Sequence, residues 1–208
     1  SLLRARFSRY VVDLNRSAAD VDLAPSDGSS GARMPRGAVW RWTTRGAPAL
    51  NRALDAQQVS ERLRVYHHPY HRALAEELDG VRRAFGFAMV LAGHSMPSVS
   101  RLGRGKSRRR ADVVLGSLGG TSASARMLQY VSSLFRDAGL GVSHDDPYRG
   151  GWTTAHYGRP ADGVHVVQIE LNRALYMDEQ TCEPLAGDFT QLQALLTKLV
   201  SGLGSLRP

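Results

Sequence analysis

Residues 164–173 read VHVVQIELNR, and the reading of this stretch decides the fold. Val164 to Leu171 carry Val, Ile and other large side chains at β spacing, which predicts a strand. Glu170 alternates with the apolar Ile169 and Leu171 near the end of that strand, whose other residues point to burial. A carboxylate in such a place is costly unless it is paired, protonated or bound to a metal. Two readings follow: a functional carboxylate, or a buried ion pair of Glu170 with Arg173 that merely holds the strand end.

Working outward, Phe87 to Leu91 (FAMVL) is a short continuous apolar run that stops at Gly93-His94, the pattern of a strand buried on both faces. Phe7 to Leu14 (FSRYVVDL), Asp112 to Leu115 and Leu140 to Ser143 are further predicted strands. Between Asp55 and Phe85, Val59, Leu63, Tyr66, Tyr70, Leu74, Leu78 and Val81 recur at helical spacing, with an interruption near Pro69. Ser122 to Ala138 reads as a helix closed by Gly139, and Phe189 to Leu203 as an amphipathic helix. Residues 24–48, rich in Pro, Gly, Ser and Arg, read as a long loop. Strands alternating with helices define an α/β class with a largely parallel or mixed sheet.

A chain of 208 residues is large enough to bury a core without disulfides, and one domain over 1–208 is the expectation. No apolar run approaches the length of a membrane span. The single Cys182 cannot form an internal bridge and Ser1 onward does not resemble a leader, so a reducing cytoplasm is expected. The net charge of +8 raises the question of a polyanion partner. Much of the excess, however, lies in Arg101, Arg104, Lys106, Arg108, Arg109 and Arg110, among glycine and serine and with no aromatic to stack on bases. Residues 101–110 are therefore expected to be a flexible, solvated basic loop, and nucleic acid is not the expected partner. The oligomeric state is not written in the sequence.

Polar clusters stand at the predicted strand ends, where open α/β sheets place their sites: Asp13-Leu14-Asn15-Arg16, His94-Ser95-Met96-Pro97, Tyr148-Arg149-Gly150-Gly151 and Gln168 to Arg173. His94 would emerge from a sheet edge, either as a metal ligand or as a hydrogen-bonded structural histidine. Arg16 and Arg173 can each grip a carboxylate through two parallel hydrogen bonds, which points to an acidic substrate. The plainer reading pairs them with Asp13 and Asp178. Tyr148 to His156 reads as a glycine-hinged loop, a lid or an ordinary surface connection. His67 and His71 have the i, i+4 spacing of a metal pair but lack the acidic residue that such helices carry, and are discounted.

Taken in order, RYVVDLNR (9–16), YHHPYHRAL (66–74), HSMPS (94–98), DVVLGSLGGTS (112–122) and DPYRGGWTTAHYGRPADGVHVVQIELNRALYMDE (146–179) resemble the N-formylglutamate amidohydrolases, over nearly the whole chain. That family is similar to zinc carboxypeptidases and aspartoacylases. The resemblance implies a three-layer α/β/α sandwich with a mixed, largely parallel sheet, and a Zn2+ ion held by two histidines and a carboxylate. It implies that His94 is the later histidine ligand, that Glu170 is the general base, and that Asn15 and Arg16 bind the substrate carboxylate. Arg173, Tyr148 and His156 complete the expected substrate-binding set. The family's upstream His-Ser-Gly segment is not in the chain, so the remaining metal ligands are expected before Ser1, in an N-terminal segment that the 208 residues lack.

The chemistry that the resemblance implies is hydrolysis of N-formyl-L-glutamate to formate and L-glutamate, a step of histidine degradation, by a metal-bound water that Glu170 deprotonates. Two alternatives stand beside it: an amidohydrolase for another small N-acyl amino acid, and a metal-free, non-catalytic homologue.

Overall fold

The computed structural model describes residues 1–21, 37–44, 46–101 and 107–208. They form two compact units, residues 1–84 and 85–208. No helix among the described residues is long and apolar enough to cross a membrane.

In the first unit, Phe7 to Leu14 is not the expected strand but a series of turns, with the Val11 N–H donating to the Ser8 carbonyl at 2.8 Å. The reason lies in where the backbone groups go. Nη1 of Arg62 donates to the carbonyls of Tyr10 and Val11 at 3.0 and 2.9 Å. Nε2 of His71 donates to the Leu14 carbonyl and Nε2 of His67 to that of Arg16, both at 2.9 Å. A strand must offer such carbonyls to a neighbouring strand. Here side chains take them, and the β-branched pair Val11-Val12 joins no ladder.

Those side chains come from the predicted helical region, which is helix throughout but changes pitch. Helix α1 (Ala56–Arg62) starts at a capping box in which Asp55 and Gln58 each bond the other's backbone N–H. A π-helical turn, Leu63–His67, follows, and α2 (His68–Phe85) continues it. Pro69 has no N–H to donate, and the widened turn stands directly before it. The same turn carries His67, which is buried, as are His71, Leu74 and Leu78 on α2.

The second unit holds, in chain order, β1 (Ala88–Met96), β2 (Val99–Arg101), β3 (Ser107–Arg109), β4 (Val113–Gly116), α3 (Ala125–Asp137), β5 (Val142–His144), α4 (Trp152–Tyr157), β6 (Val164–Asn172) and α5 (Ala186–Leu203). Four strands form one sheet in the order β1-β6-β4-β5. β1 runs parallel to β6 and β5 parallel to β4, whereas β4 and β6 are antiparallel. The mixed, largely parallel sheet flanked by helices is the class that the alternation of elements indicates.

Side chains alternate across the sheet. Val113, Leu115, Val167 and Ile169 face Met127, Val131, Leu134 and Phe135 of α3 and Leu199 and Leu203 of α5, and this is the apolar core. The intervening residues, Val114, Gly116, Val166, Gln168 and Glu170, therefore lie on the opposite face, towards which the segment preceding α4 descends. Gly116 permits that approach: a Cβ there would stand 2.6 Å from the Gly150 nitrogen. His165, on the α3 side, accepts the N–H of Ser124, the N-cap of α3, at its Nδ1 (3.1 Å).

The basic run 101–110 is only partly a loop. β2 and β3 pair antiparallel, so Arg101 and Ser107 to Arg109 belong to a hairpin, and Nη1 of Arg110 donates to the Pro97 carbonyl at 3.1 Å. The backbones satisfy each other while Arg108 and Arg109 stay exposed, Arg108 with its guanidinium 3.8 Å from the Asp146 carboxylate. Residues 102–106, the middle of the expected flexible loop, lie outside the described residues.

Candidate active site

The parallel pairing of β1 and β6 makes His94 and Glu170 register partners, just before both strands end at Met96 and Asn172. Register partners on neighbouring strands project from the same face of the sheet. His94 and Glu170 therefore share one face at the carboxyl ends of adjacent parallel strands, the edge at which open α/β sheets bind ligands.

Glu170 is buried, with 8% of its surface exposed, and Gln168, two residues earlier on the same face, donates from Nε2 to its Oε1 at 3.1 Å. The other end of the Gln168 amide accepts the Gly151 N–H at 2.8 Å. Directly after β6, Arg173 donates from Nε to Ser95 Oγ, beside His94 (3.2 Å). This bond to Ser95 is not the ion pair with Glu170 that would make the carboxylate structural. Nor is Asp178 the partner of Arg173: its carboxylate accepts the N–H groups of Thr181 and Gln180 at 2.9 and 2.7 Å, which hold it below the usual carboxylate range.

The segment after His94 is anchored from afar. Glu179 accepts the Ser98 N–H at 3.1 and 3.0 Å and also the Ser98 hydroxyl, tying HSMPS to the turn that follows β6. Asp145 closes a similar tie, taking the N–H groups of Ser117 and Gly119 at 2.8 and 2.9 Å. Tyr148 lies beneath the Arg110 guanidinium, 5.3 Å from ring centroid to Cζ. His156, on α4, stacks on Trp152 at 4.2 Å, and its pKa is pushed down by burial and then by Arg159. Among these residues Ser95, Gln168, Glu179 and Asp145 carry no role in the sequence reading. The only signal for Ser95, Gln168 and Glu179 is their place within the strand-end clusters or the matching blocks, and Asp145 stands just before the last of those blocks.

Asn15 and Arg16 belong to the unit of residues 1–84, in a turn built around Asp13. That buried carboxylate accepts Trp40 Nε1 at 2.9 Å and the Asn15 N–H at 3.0 Å, with Arg9 at 3.9 Å. Its charged neighbour is thus Arg9, and Arg16 meets Asp13 through the backbone, N–H to carbonyl at 3.2 Å. His67 and His71 fasten this turn, so their helical spacing serves two carbonyls. Burial is the main cause that lowers the pKa of His67, opposed by its bond to the Arg16 carbonyl.

No three ligating side chains group together among the described residues. A tetrahedral catalytic zinc takes three protein donors and a water. His94 could supply only one of them, so the described residues do not by themselves fit the ion that the resemblance implies.

Fold and site together define a mixed α/β protein with a buried carboxylate and a histidine side by side at the carboxyl edge of its parallel strands, flanked by an arginine. Comparison with known proteins gives the family. A family model for N-formylglutamate amidohydrolase matches residues 1–177. An N-formylglutamate deformylase of Pseudomonas aeruginosa is 34% identical over 210 residues, 98% of this chain and 74% of that protein. One from Pseudomonas putida is 32% identical over 209 residues, with the same shares. The crystal structure of N-formylglutamate amidohydrolase from Ralstonia eutropha aligns with a TM-score of 0.80 at 34% identity, covering 93% of this chain and 72% of that one. A gene product of Agrobacterium tumefaciens, at 23% identity and a TM-score of 0.61 over 96% of this chain and 70% of its own, shares the fold. The chain belongs to the N-formylglutamate amidohydrolase family.

Proposed function

We propose that this protein hydrolyses N-formyl-L-glutamate to formate and L-glutamate, as the closing step of histidine degradation in the cytoplasm. The observation that carries the reading is the pairing of His94 with Glu170 at the ends of β1 and β6. It is joined by the names of the relatives, which are deformylases for this compound. Glu170 takes a proton from water as the water oxygen bonds to the formyl carbon, and the same carboxyl group returns the proton to the departing nitrogen, since an amine leaves poorly as an anion. The carbon–nitrogen bond breaks, leaving formate and the amino group of glutamate.

Carboxylate recognition is assigned to Arg173 from its place beside the pair, and to Asn15 and Arg16 from the DLNR motif alone. Tyr148 and His156 remain proposed substrate contacts on the Tyr148–Tyr157 segment. The zinc implied by the resemblance enters the proposal through His94 only, and its measure is metal content. Release of formate and glutamate from N-formylglutamate by the purified protein, set against N-acetylglutamate and N-formylaspartate, tests the reading. Preference for one of the other amides would move the assignment to another small N-acyl amino acid, and absence of turnover on all of them would leave a non-catalytic homologue.

A further inference from the structure

We infer that Gln168 is a positioning residue for Glu170, and that the Gly150-Gly151 turn sets its orientation. The inference rests on the reading of Glu170 as the general base. An amide side chain has an accepting end and a donating end, and which one faces a carboxylate decides whether the contact attracts or repels. Here the choice is forced. The Gly151 backbone N–H can only donate, and it points at Gln168 Oε1 (2.8 Å), so the NH2 group must face Glu170 Oε1 (3.1 Å). Gln168 is 4% exposed, and its register partner on β4 is Gly116, whose missing side chain lets the backbone at Arg149 and Gly150 come down onto the sheet. Gly150, at a φ of 119°, adopts a conformation open to glycine that aims the next N–H at Gln168. A chain of directed bonds thus runs from the Tyr148–Gly151 turn through Gln168 to one oxygen of Glu170. It fixes the rotation of the carboxylate by which a base is aligned with its proton.

Two nearly isosteric variants separate this role from simple packing. Gln168→Glu keeps the acceptor for Gly151 and the shape of the side chain but places an oxygen where the donor stood. Gln168→Met removes both bonds at similar volume. With N-formylglutamate, kcat should fall about 10- to 100-fold in Gln168→Glu and about tenfold in Gln168→Met, with KM held within about twofold. Placed in a Glu170→Gln background, Gln168→Met should cost no further activity, because the two act as one unit. Full kcat in Gln168→Glu, or additive losses in the double variant, would overturn the positioning role while the base reading stood. Full activity in Glu170→Gln alone would instead overturn the base reading. A signature in the wild-type fold covers variants that fail to fold: the Gln168 side-chain amide protons should be shifted and slow to exchange in NMR spectra, and should lose both properties in Glu170→Ala. Resonances that do not move would refute the contact.

Discussion

Glu170 is buried and takes a hydrogen bond from the neutral amide of Gln168, whereas Arg173, three residues further on, bonds Ser95 through its Nε. Arg173→Lys keeps the charge but loses both the Ser95 bond and the planar fork, so KM for N-formylglutamate should rise about tenfold with a smaller change in kcat. Steady-state kinetics at fixed salt check this, and a pure kcat loss would contradict it. His165 makes a prediction about stability. Burial lowers its pKa, and its Nδ1 must stay unprotonated to accept the Ser124 N–H. The unfolded chain therefore takes up the proton first. The stabilising contribution is complete above the ordinary histidine value of about 6.5 and is lost as pH falls below it, towards the folded value. His67 has the same sign. Thermal unfolding should show Tm falling from about pH 7.5 to about pH 5.5, and less steeply in His165→Asn, whose Oδ1 can still accept that N–H. An unchanged slope would show that His165 does not contribute.

At the scale of elements, the glycine opposite Gln168 is the weak point. Gly116→Ala would drive the backbone of residues 149–150 off β4, at a cost of about 1–3 kcal/mol, and would stretch the Gly151–Gln168 bond. Chemical unfolding and kcat should both report it. The two apolar runs that make β1 and β6 are legible because each is buried along its length, and Glu170 stands out there because a charge among Val, Ile and Leu needs a reason. The turns at residues 7–14 are not legible. What prevents a strand is capture of the carbonyls of Tyr10, Val11 and Leu14 by Arg62 and His71, far away in sequence, and a local β pattern contains no trace of it. The hairpin at the ends of the basic run is hidden for a related reason: glycine, serine and arginine say little about pairing when only backbone atoms pair. Gln168 stands in a strand-end cluster without a legible role, since the residue opposite it on β4, Gly116, is brought there by the sheet register and not by the sequence around it.

For the whole molecule, belonging to the N-formylglutamate amidohydrolase family brings an expected metal whose ligands, apart from His94, the described residues do not assemble. Elemental analysis of the purified protein should find zinc that a chelator removes and that His94→Ala diminishes. Equal metal content in that variant would take His94 out of the ligand set. The most direct test of the central claim is formate release from N-formylglutamate by wild type and Glu170→Gln, measured together with their Tm. Wild type should turn the substrate over, and the variant should keep its fold while losing about 10²- to 10⁴-fold in kcat. A folded Glu170→Gln protein that releases formate at the wild-type rate would contradict the account and return Glu170 to a structural role at the end of β6.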